Sequence, residues 1–160
     1  MPKVFIGVGS NLGCRASHLE FARKELLCVA GLTDLKCSPV YETEPVAVEG
    51  GPFLNAVWSF DSGLSLRDLL AKLQAIEAQA HRQRNKPNEA RTLDLDILFY
   101  GEQVVDEPGV IVPHPRLHER SFVLVPMCDL APEWRHPVLK KTAKEMLEGL
   151  SLADHSLKKI

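Results

Sequence analysis

A segment near the middle of the chain places two carboxylates inside an otherwise apolar strand pattern. Residues 91–100 read RTLDLDILFY. Because strand side chains alternate between the two faces of a sheet, Asp94 and Asp96 share one face, with Cα atoms about 6.5 to 7 Å apart. The opposite, buried face is expected to carry Leu93, Leu95, Ile97 and Phe99.

Two carboxylates held this close repel each other unless one is protonated or a cation lies between them. An all-oxygen ligand pair suits Mg²⁺, which keeps several waters and is usually completed by substrate phosphates. The pattern therefore indicates a platform for a metal ion and a nucleotide. The alternative is a solvated outer face of an antiparallel strand.

A basic segment directly precedes this strand. Four basic side chains and one acidic side chain give residues 81–91 a local charge of +3, in a chain whose formal net charge is -2. The charged residues are Arg82, Arg84, Lys86, Glu89 and Arg91. Guanidinium groups bind phosphate oxygens in pairs, so a confined basic patch favours a polyphosphate, whereas a nucleic-acid binder usually spreads its charge further. The alternative is a solvated charged helix end and loop.

Length and composition bound the class of protein. With 160 residues, 45% hydrophobic and 25% charged, the chain is expected to form a single globular domain over 1–160. No apolar stretch approaches the roughly 20 residues of a membrane span, and the N-terminus lacks a signal-peptide pattern, so we expect a cytoplasmic protein. The four cysteines form no C-x-x-C pair, which argues against a zinc or redox site.

The order of predicted elements points to an α+β fold. Strands are predicted at 3–9, 32–42, 53–60 and along the aspartate segment, with helices starting near Ser17 and Ser65. This order gives a ferredoxin-like split βαββαβ core, an antiparallel sheet with helices packed on one face. A short C-terminal extension follows, with one or two strands in 102–112, a helix in 141–150 and a flexible tail at 151–160.

The strand at 53–60 has two contrasting faces. Its core face carries Leu54, Ala56, Trp58 and Phe60. Asparagine is disfavoured in mid-strand, so Asn55 beside Phe53 on the other face suggests recognition of a flat polar ring. An exposed edge residue is the alternative.

Five separated segments together resemble one family. They are GSNLG at 9–13, YETEP at 41–45, FLNA at 53–56, RTLDLDI at 91–97 and VPHPRLHERSF at 112–122. In this order they are similar to the 6-hydroxymethyl-7,8-dihydropterin pyrophosphokinases, folate-biosynthesis transferases that move diphosphate from ATP to a pterin alcohol. The family commonly has tryptophan, glycine and proline where this chain has Asn88, Glu89 and Ala90.

The resemblance implies a role for each matching residue. Asp94 and Asp96 would hold two Mg²⁺ ions with ATP, and Arg82 and Arg91 would act on the phosphate chain. Further ATP contacts are expected from Arg84, His114, Arg116 and Arg120. The pterin would be bound by Thr43, Glu44, Val46, Phe53, Asn55 and Phe122.

The expected reaction is transfer of diphosphate to 6-hydroxymethyl-7,8-dihydropterin with release of AMP, without nucleic acid or membrane as a partner. Two other functions fit the same fold. A ferredoxin-like RNA-binding module would use aromatic side chains on the sheet as stacking platforms, and a gel shift would detect it. A γ-phosphoryl kinase would release ADP instead of AMP.

Overall fold

The computed structural model describes residues 1–10, 15–43, 53–82, 93–150 and 157–159. Within these ranges six strands form one antiparallel sheet in the order β5-β1-β4-β3-β8, with β2 also paired to β4. These strands are β1 (Lys3–Ser10), β2 (Leu32–Cys37), β3 (Tyr41–Thr43), β4 (Phe53–Ser62), β5 (Asp94–Tyr100) and β8 (Leu157–Lys159). The α+β expectation with an antiparallel sheet is confirmed.

The remaining elements are four helices and a small hairpin in the described part of the chain. The helices are α1 (Arg15–Leu27), α2 (Leu66–Arg82), α3 (Ser121–Leu130) and α4 (Ala143–Glu148), with a 3₁₀ turn at Leu117–Glu119. The hairpin pairs β6 (Val105–Glu107) with β7 (Val110–Val112). No helix among the described residues is long and apolar enough to cross a bilayer.

Two apolar clusters cover opposite faces of the sheet. The first joins the predicted core face of β4 to the apolar stripes of α1 and α2. The second joins Phe5, Val57 and Phe99 to α3 and α4. The two helices of the predicted core, α1 and α2, thus pack on one face as expected, and α3 and α4 of the C-terminal extension bury part of the second face.

A bulge changes the side-chain pattern of β5. The register between β1 and β5 shifts at Phe5/Ile6, where Phe5 pairs with Phe99 and Ile6 with Ile97. Leu95 and Ile97 remain in the first cluster, but Leu98 and Phe99 both lie in the second. The assignment of Phe99 to the same face as Leu95 is thus wrong beyond the bulge, because an extra residue reverses the alternation.

Other boundaries also differ from the predictions. The strand expected over 32–42 is interrupted at residues 38–40, which separate β2 from β3. Helix α1 begins at Arg15, before Ser17, and ends at Leu27. At the C-terminus, where we expect a flexible tail over 151–160, residues 157–159 form a strand that pairs with β3.

Candidate active site

The two aspartates lie on β5, the strand at the edge of the sheet. Asp94 pairs with Gly9 of β1 and Asp96 with Gly7. Paired residues of antiparallel strands project to the same face, and glycine has no side chain, so no side chain of β1 lies beside either carboxylate on that face. Asp94 is partly exposed and Asp96 is exposed, which leaves both carboxylates accessible on the predicted common face.

A row across three strands connects the aspartates to Asn55. Gly9 pairs with Asp94 on one side and with Asn55 of β4 on the other. Two strand spacings put the Asp94 and Asn55 backbones about 10 Å apart. A Cβ atom added at Gly9 would lie 3.3 Å from Asn55 Oδ1. Gly9 therefore forms a floor without a side chain between a charged end and a polar end of one sheet face.

The Asn55 side chain is held in a defined orientation. It is 8% exposed, and its Nδ2 donates to Thr43 Oγ1 at 2.9 Å. Thr43 lies on β3, which pairs with β4. Because Nδ2 is engaged by Thr43, the amide presents Oδ1 toward the Gly9 floor. Phe53, partly exposed, is two residues from Asn55 on the same face of β4.

His114 lies beside the aspartate strand. Its backbone N–H donates to the Leu98 carbonyl at 3.0 Å, and its Nδ1 accepts the backbone N–H of Arg116 at 3.2 Å. Burial lowers the pKa of His114, the charges of Arg120 and Arg116 lower it further, and the negative charge of Asp96 opposes them. With Nδ1 accepting a hydrogen bond, the neutral ring carries its proton on Nε2.

Arg120 links this loop to α3. Its guanidinium carbon lies 5.6 Å from the centroid of the Phe122 ring, a cation–π distance. Arg116 is exposed, and its Nε lies 3.6 Å from Glu119 Oε2. His114 thus lies within the electrostatic reach of Asp96 and Arg120, and Arg120 contacts Phe122, while the Arg116 side chain is engaged by Glu119.

Several predicted site residues cannot be placed with the others. Arg82 is the last residue of α2. The departure at residues 88–90 and the predicted site residues Glu44, Val46, Arg84 and Arg91 lie outside the described residues.

Two polar contacts near the site are not anticipated by the sequence. The backbone N–H of Leu95, between the two aspartates, donates to Glu77 Oε2 of α2 at 3.0 Å. The Tyr41 hydroxyl donates to a carboxylate oxygen of Asp129 on α3. Both contacts join distant segments, so no local pattern signals them. Gly7 and Gly9 alternate with Val8 on the face opposite it, and this pattern could have identified the floor without side chains.

Comparison with known proteins gives matches over most of the chain. The family model described as 7,8-dihydro-6-hydroxymethylpterin-pyrophosphokinase matches residues 5–132. A 2-amino-4-hydroxy-6-hydroxymethyldihydropteridine pyrophosphokinase of Pseudomonas aeruginosa is 39% identical over 136 residues, covering 84% of this chain and 84% of that protein.

Longer proteins match as well. The folic acid synthesis protein fol1 of Pneumocystis carinii is 37% identical over 158 residues, which are 98% of this chain but only 21% of that protein. A crystal structure of Plasmodium falciparum HPPK-DHPS superposes with a TM-score of 0.74 at 14% identity, covering 92% of this chain and 43% of that one. The structural likeness confirms the fold, and this chain spans less than half the length of either longer protein.

Proposed function

The chain belongs to the 7,8-dihydro-6-hydroxymethylpterin-pyrophosphokinase family, and we propose from this premise that it transfers diphosphate from ATP to the hydroxymethyl group of 6-hydroxymethyl-7,8-dihydropterin, in folate synthesis. The products are AMP and the pterin diphosphate. The observation that carries the proposal is the row Asp94–Gly9–Asn55. With Asp96 two residues from Asp94, the row sets a pair of carboxylates and an oriented amide on one sheet face, as a reaction between a metal–nucleotide and a heterocycle requires.

The polar end of the row fits the pterin. A pterin is a flat ring with donors and acceptors along one edge, and Asn55 presents a fixed amide to such an edge. Phe53 and Phe122 are both partly exposed and offer apolar faces for the ring. Thr43 keeps the amide oriented, and Glu44 and Val46 complete this subsite in the proposal.

The charged end fits magnesium and the phosphates. Asp94 and Asp96 supply hard oxygen ligands on one face. Beyond this pair, the described residues contain no group of three or more His, Cys, Asp or Glu side chains that could hold a metal ion by themselves. Two carboxylates completed by phosphate oxygens and water are a usual Mg²⁺ arrangement. We propose two Mg²⁺ ions held by these residues, which when bound neutralise phosphate charge and favour in-line displacement.

We assign the contacts with the ATP phosphates to arginine side chains and to the neutral ring of His114. His114, with its proton on Nε2, donates toward phosphate oxygens, and Arg120 contributes positive charge beside it. We propose that three arginines contact the remaining phosphates of ATP, namely Arg82, Arg84 and Arg91. Arg116 would do so after leaving Glu119, an exposed ion pair of the kind that costs little to break.

The reaction exchanges one phosphorus–oxygen bond for another. The hydroxymethyl oxygen of the pterin bonds to the β-phosphorus of ATP and releases its proton to water. The bond from the β-phosphorus to the oxygen bridging to the α-phosphorus breaks, and AMP leaves with that oxygen. Holding both substrates on one rigid sheet face supplies orientation, and positive side chains stabilise the charge that develops on AMP.

A product assay tests the proposal. Purified protein is incubated with ATP, Mg²⁺ and the reduced hydroxymethylpterin, and AMP is resolved from ADP, with a control lacking pterin. Pterin-dependent AMP is the expected result. ADP as the nucleotide product would replace diphosphoryl transfer with γ-phosphoryl transfer, and no turnover by folded protein would refute the enzyme assignment. The single domain over 1–160 and the cytoplasmic location remain proposals from the sequence.

A further inference from the structure

A hydrogen bond joins the sheet to α3 beside the proposed pterin subsite. The Tyr41 hydroxyl on β3 donates to a carboxylate oxygen of Asp129, 88 positions along the chain. Tyr41 is 7% exposed, whereas Asp129 is exposed. Burial raises the pKa of Tyr41 to about 12, with the hydrogen bond and the charge of Asp129 acting in the same direction. The phenol therefore stays a donor throughout the physiological pH range.

On the sheet side, the bond holds the strand that orients Asn55. Tyr41 pairs directly with Asn55 across β3 and β4, so both side chains project to the same face. Two residues further on, Thr43 accepts the hydrogen bond from Asn55. A shift of β3 would move Thr43 relative to Asn55 and release the amide from its orientation.

On the helix side, the bond adds a restraint to α3, which Leu124 and Met127 anchor in the second cluster. Phe122 lies in the first turn of α3 and Asp129 near its end. Their separation is close to two full turns, so both side chains project from nearly the same side of the helix. Holding Asp129 against Tyr41 therefore restrains the side of α3 from which Phe122 projects.

We propose that the Tyr41–Asp129 hydrogen bond is a positioning contact, which sets the gap between Asn55 and Phe122 and thereby pre-organises the pterin subsite. This inference rests on the proposed function. Neither Tyr41 nor Asp129 needs to touch the substrate. Their bond removes the cost of ordering β3 and α3 when a flat ring enters between the amide and the aromatic side chain.

Variants at both ends test the contact. Tyr41→Phe and Asp129→Ala are each expected to raise the KM and Kd for pterin roughly threefold to tenfold. This change corresponds to the net free-energy contribution of one hydrogen bond. The KM for ATP stays unchanged. The double variant is expected to be no worse than the poorer single variant, because both changes remove the same interaction. Asp129→Asn keeps an acceptor for the phenol and is expected to restore most of the pterin affinity.

A matched control separates positioning from general stability. The Tyr100 hydroxyl donates to the Leu64 carbonyl, and Tyr100 belongs to the cluster on the opposite face of the sheet. Tyr100→Phe is therefore expected to lower the free energy of unfolding without changing the pterin KM. Glu133→Ala, an exposed carboxylate shortly after α3, controls for the loss of charge at Asp129.

The outcomes distinguish this inference from the proposed function. If wild-type protein releases pterin-dependent AMP but Tyr41→Phe and Asp129→Ala bind pterin as wild type does, the positioning contact is overturned and the function stands. Equal effects of Tyr41→Phe and Tyr100→Phe on pterin KM would also overturn it. If wild-type protein forms no AMP and binds no pterin, both fail together.

Discussion

Replacing Gly9 with alanine would place a methyl group on the floor between the two ends of the site. The added Cβ would lie 3.3 Å from Asn55 Oδ1 and 3.8 Å from the Leu54 carbonyl oxygen. The first contact is tighter than ordinary packing, so Asn55 must move by about 0.3 Å, enough to weaken a hydrogen bond that needs a defined distance and angle. The bond at stake is the 2.9 Å contact from Asn55 to Thr43.

The expected magnitudes separate affinity from stability. Partial loss of one net hydrogen bond, about 0.5 to 1.5 kcal/mol, weakens pterin binding roughly twofold to tenfold. Alanine is favoured over glycine in a strand by about 0.5 to 1 kcal/mol, which offsets the strain in the folded state. Gly9→Ala should therefore unfold at nearly the same urea concentration as wild type while binding pterin more weakly.

Calorimetric titration with pterin, in the presence of a non-hydrolysable ATP analogue, measures the affinity. Gly7→Ala is the matched strand variant, because its added Cβ would meet Leu98 Cδ2 at 3.5 Å, an ordinary contact, and no atom of Asn55. It should bind pterin like wild type. Wild-type pterin affinity in folded Gly9→Ala would refute the inference that this floor sets the Asn55 amide.

Three further predictions follow from the site and its surroundings. Asp94→Asn and Asp96→Asn are each expected to lower turnover by orders of magnitude with an unchanged circular dichroism spectrum, because each removes a charged metal ligand; near-normal turnover would contradict the magnesium assignment. Phe53→Ala is expected to weaken pterin binding by about 1 to 3 kcal/mol through lost apolar contact, and calorimetry showing unchanged affinity would mean that Phe53 is merely exposed. Buried His136 accepts the backbone N–H groups of Val138 and Leu139 at its Nδ1, both at 3.1 Å, and burial lowers its pKa, helped by the charge of His118. The unfolded state therefore binds a proton at His136 more readily than the folded state does. Neutral His136 thus stabilises the fold above the ordinary histidine pKa of about 6.5, and this stabilisation is lost as the pH falls through and below that value. Urea unfolding at pH 7.5 and 5.5 should show that the free energy of unfolding falls less in His136→Asn than in wild type when the pH is lowered. Equal decreases would exclude His136 as a source of the pH dependence.

Elements with a strong local period could be predicted from the sequence. In β4 the apolar residues at every second position place Leu54 and Trp58 in the first cluster as expected. In α2 the apolar stripe is regular, and the Ser65 hydroxyl caps the helix by accepting the Asp68 N–H at 3.2 Å. Both elements carry signals that depend on neighbouring residues alone.

Features that depend on tertiary packing could not be predicted. Helix α3 contains Pro126 and a nearly continuous apolar run, so neither a helical period nor a clean start identifies it, and packing on β4 overrides the proline penalty. The bulge in β5 could not be predicted because the residues around it form an unbroken apolar run. The strand at 157–159 exists because β3 offers a free edge for pairing, which a local pattern does not reveal.

The candidate site also combines features that the sequence predicts with features that depend on tertiary packing. Residue types and their order indicate carboxylates for a cation and an amide for a ring, and the resemblance adds roles for the arginines. The sequence does not reveal that Asn55 donates to Thr43, that Gly9 separates the two ends, or that Tyr41 reaches Asp129. Each of these contacts depends on strand register or on the docking of α3.

The most direct test of the central claim follows the β-phosphorus itself. ATP labelled with ³²P at the β position is incubated with Mg²⁺, the reduced hydroxymethylpterin and the protein, and the pterin product is separated from the nucleotides. Diphosphoryl transfer predicts that the label moves to the pterin in an amount equal to the AMP released. Label that remains in ADP, with an unlabelled phosphorylated pterin, would contradict the account.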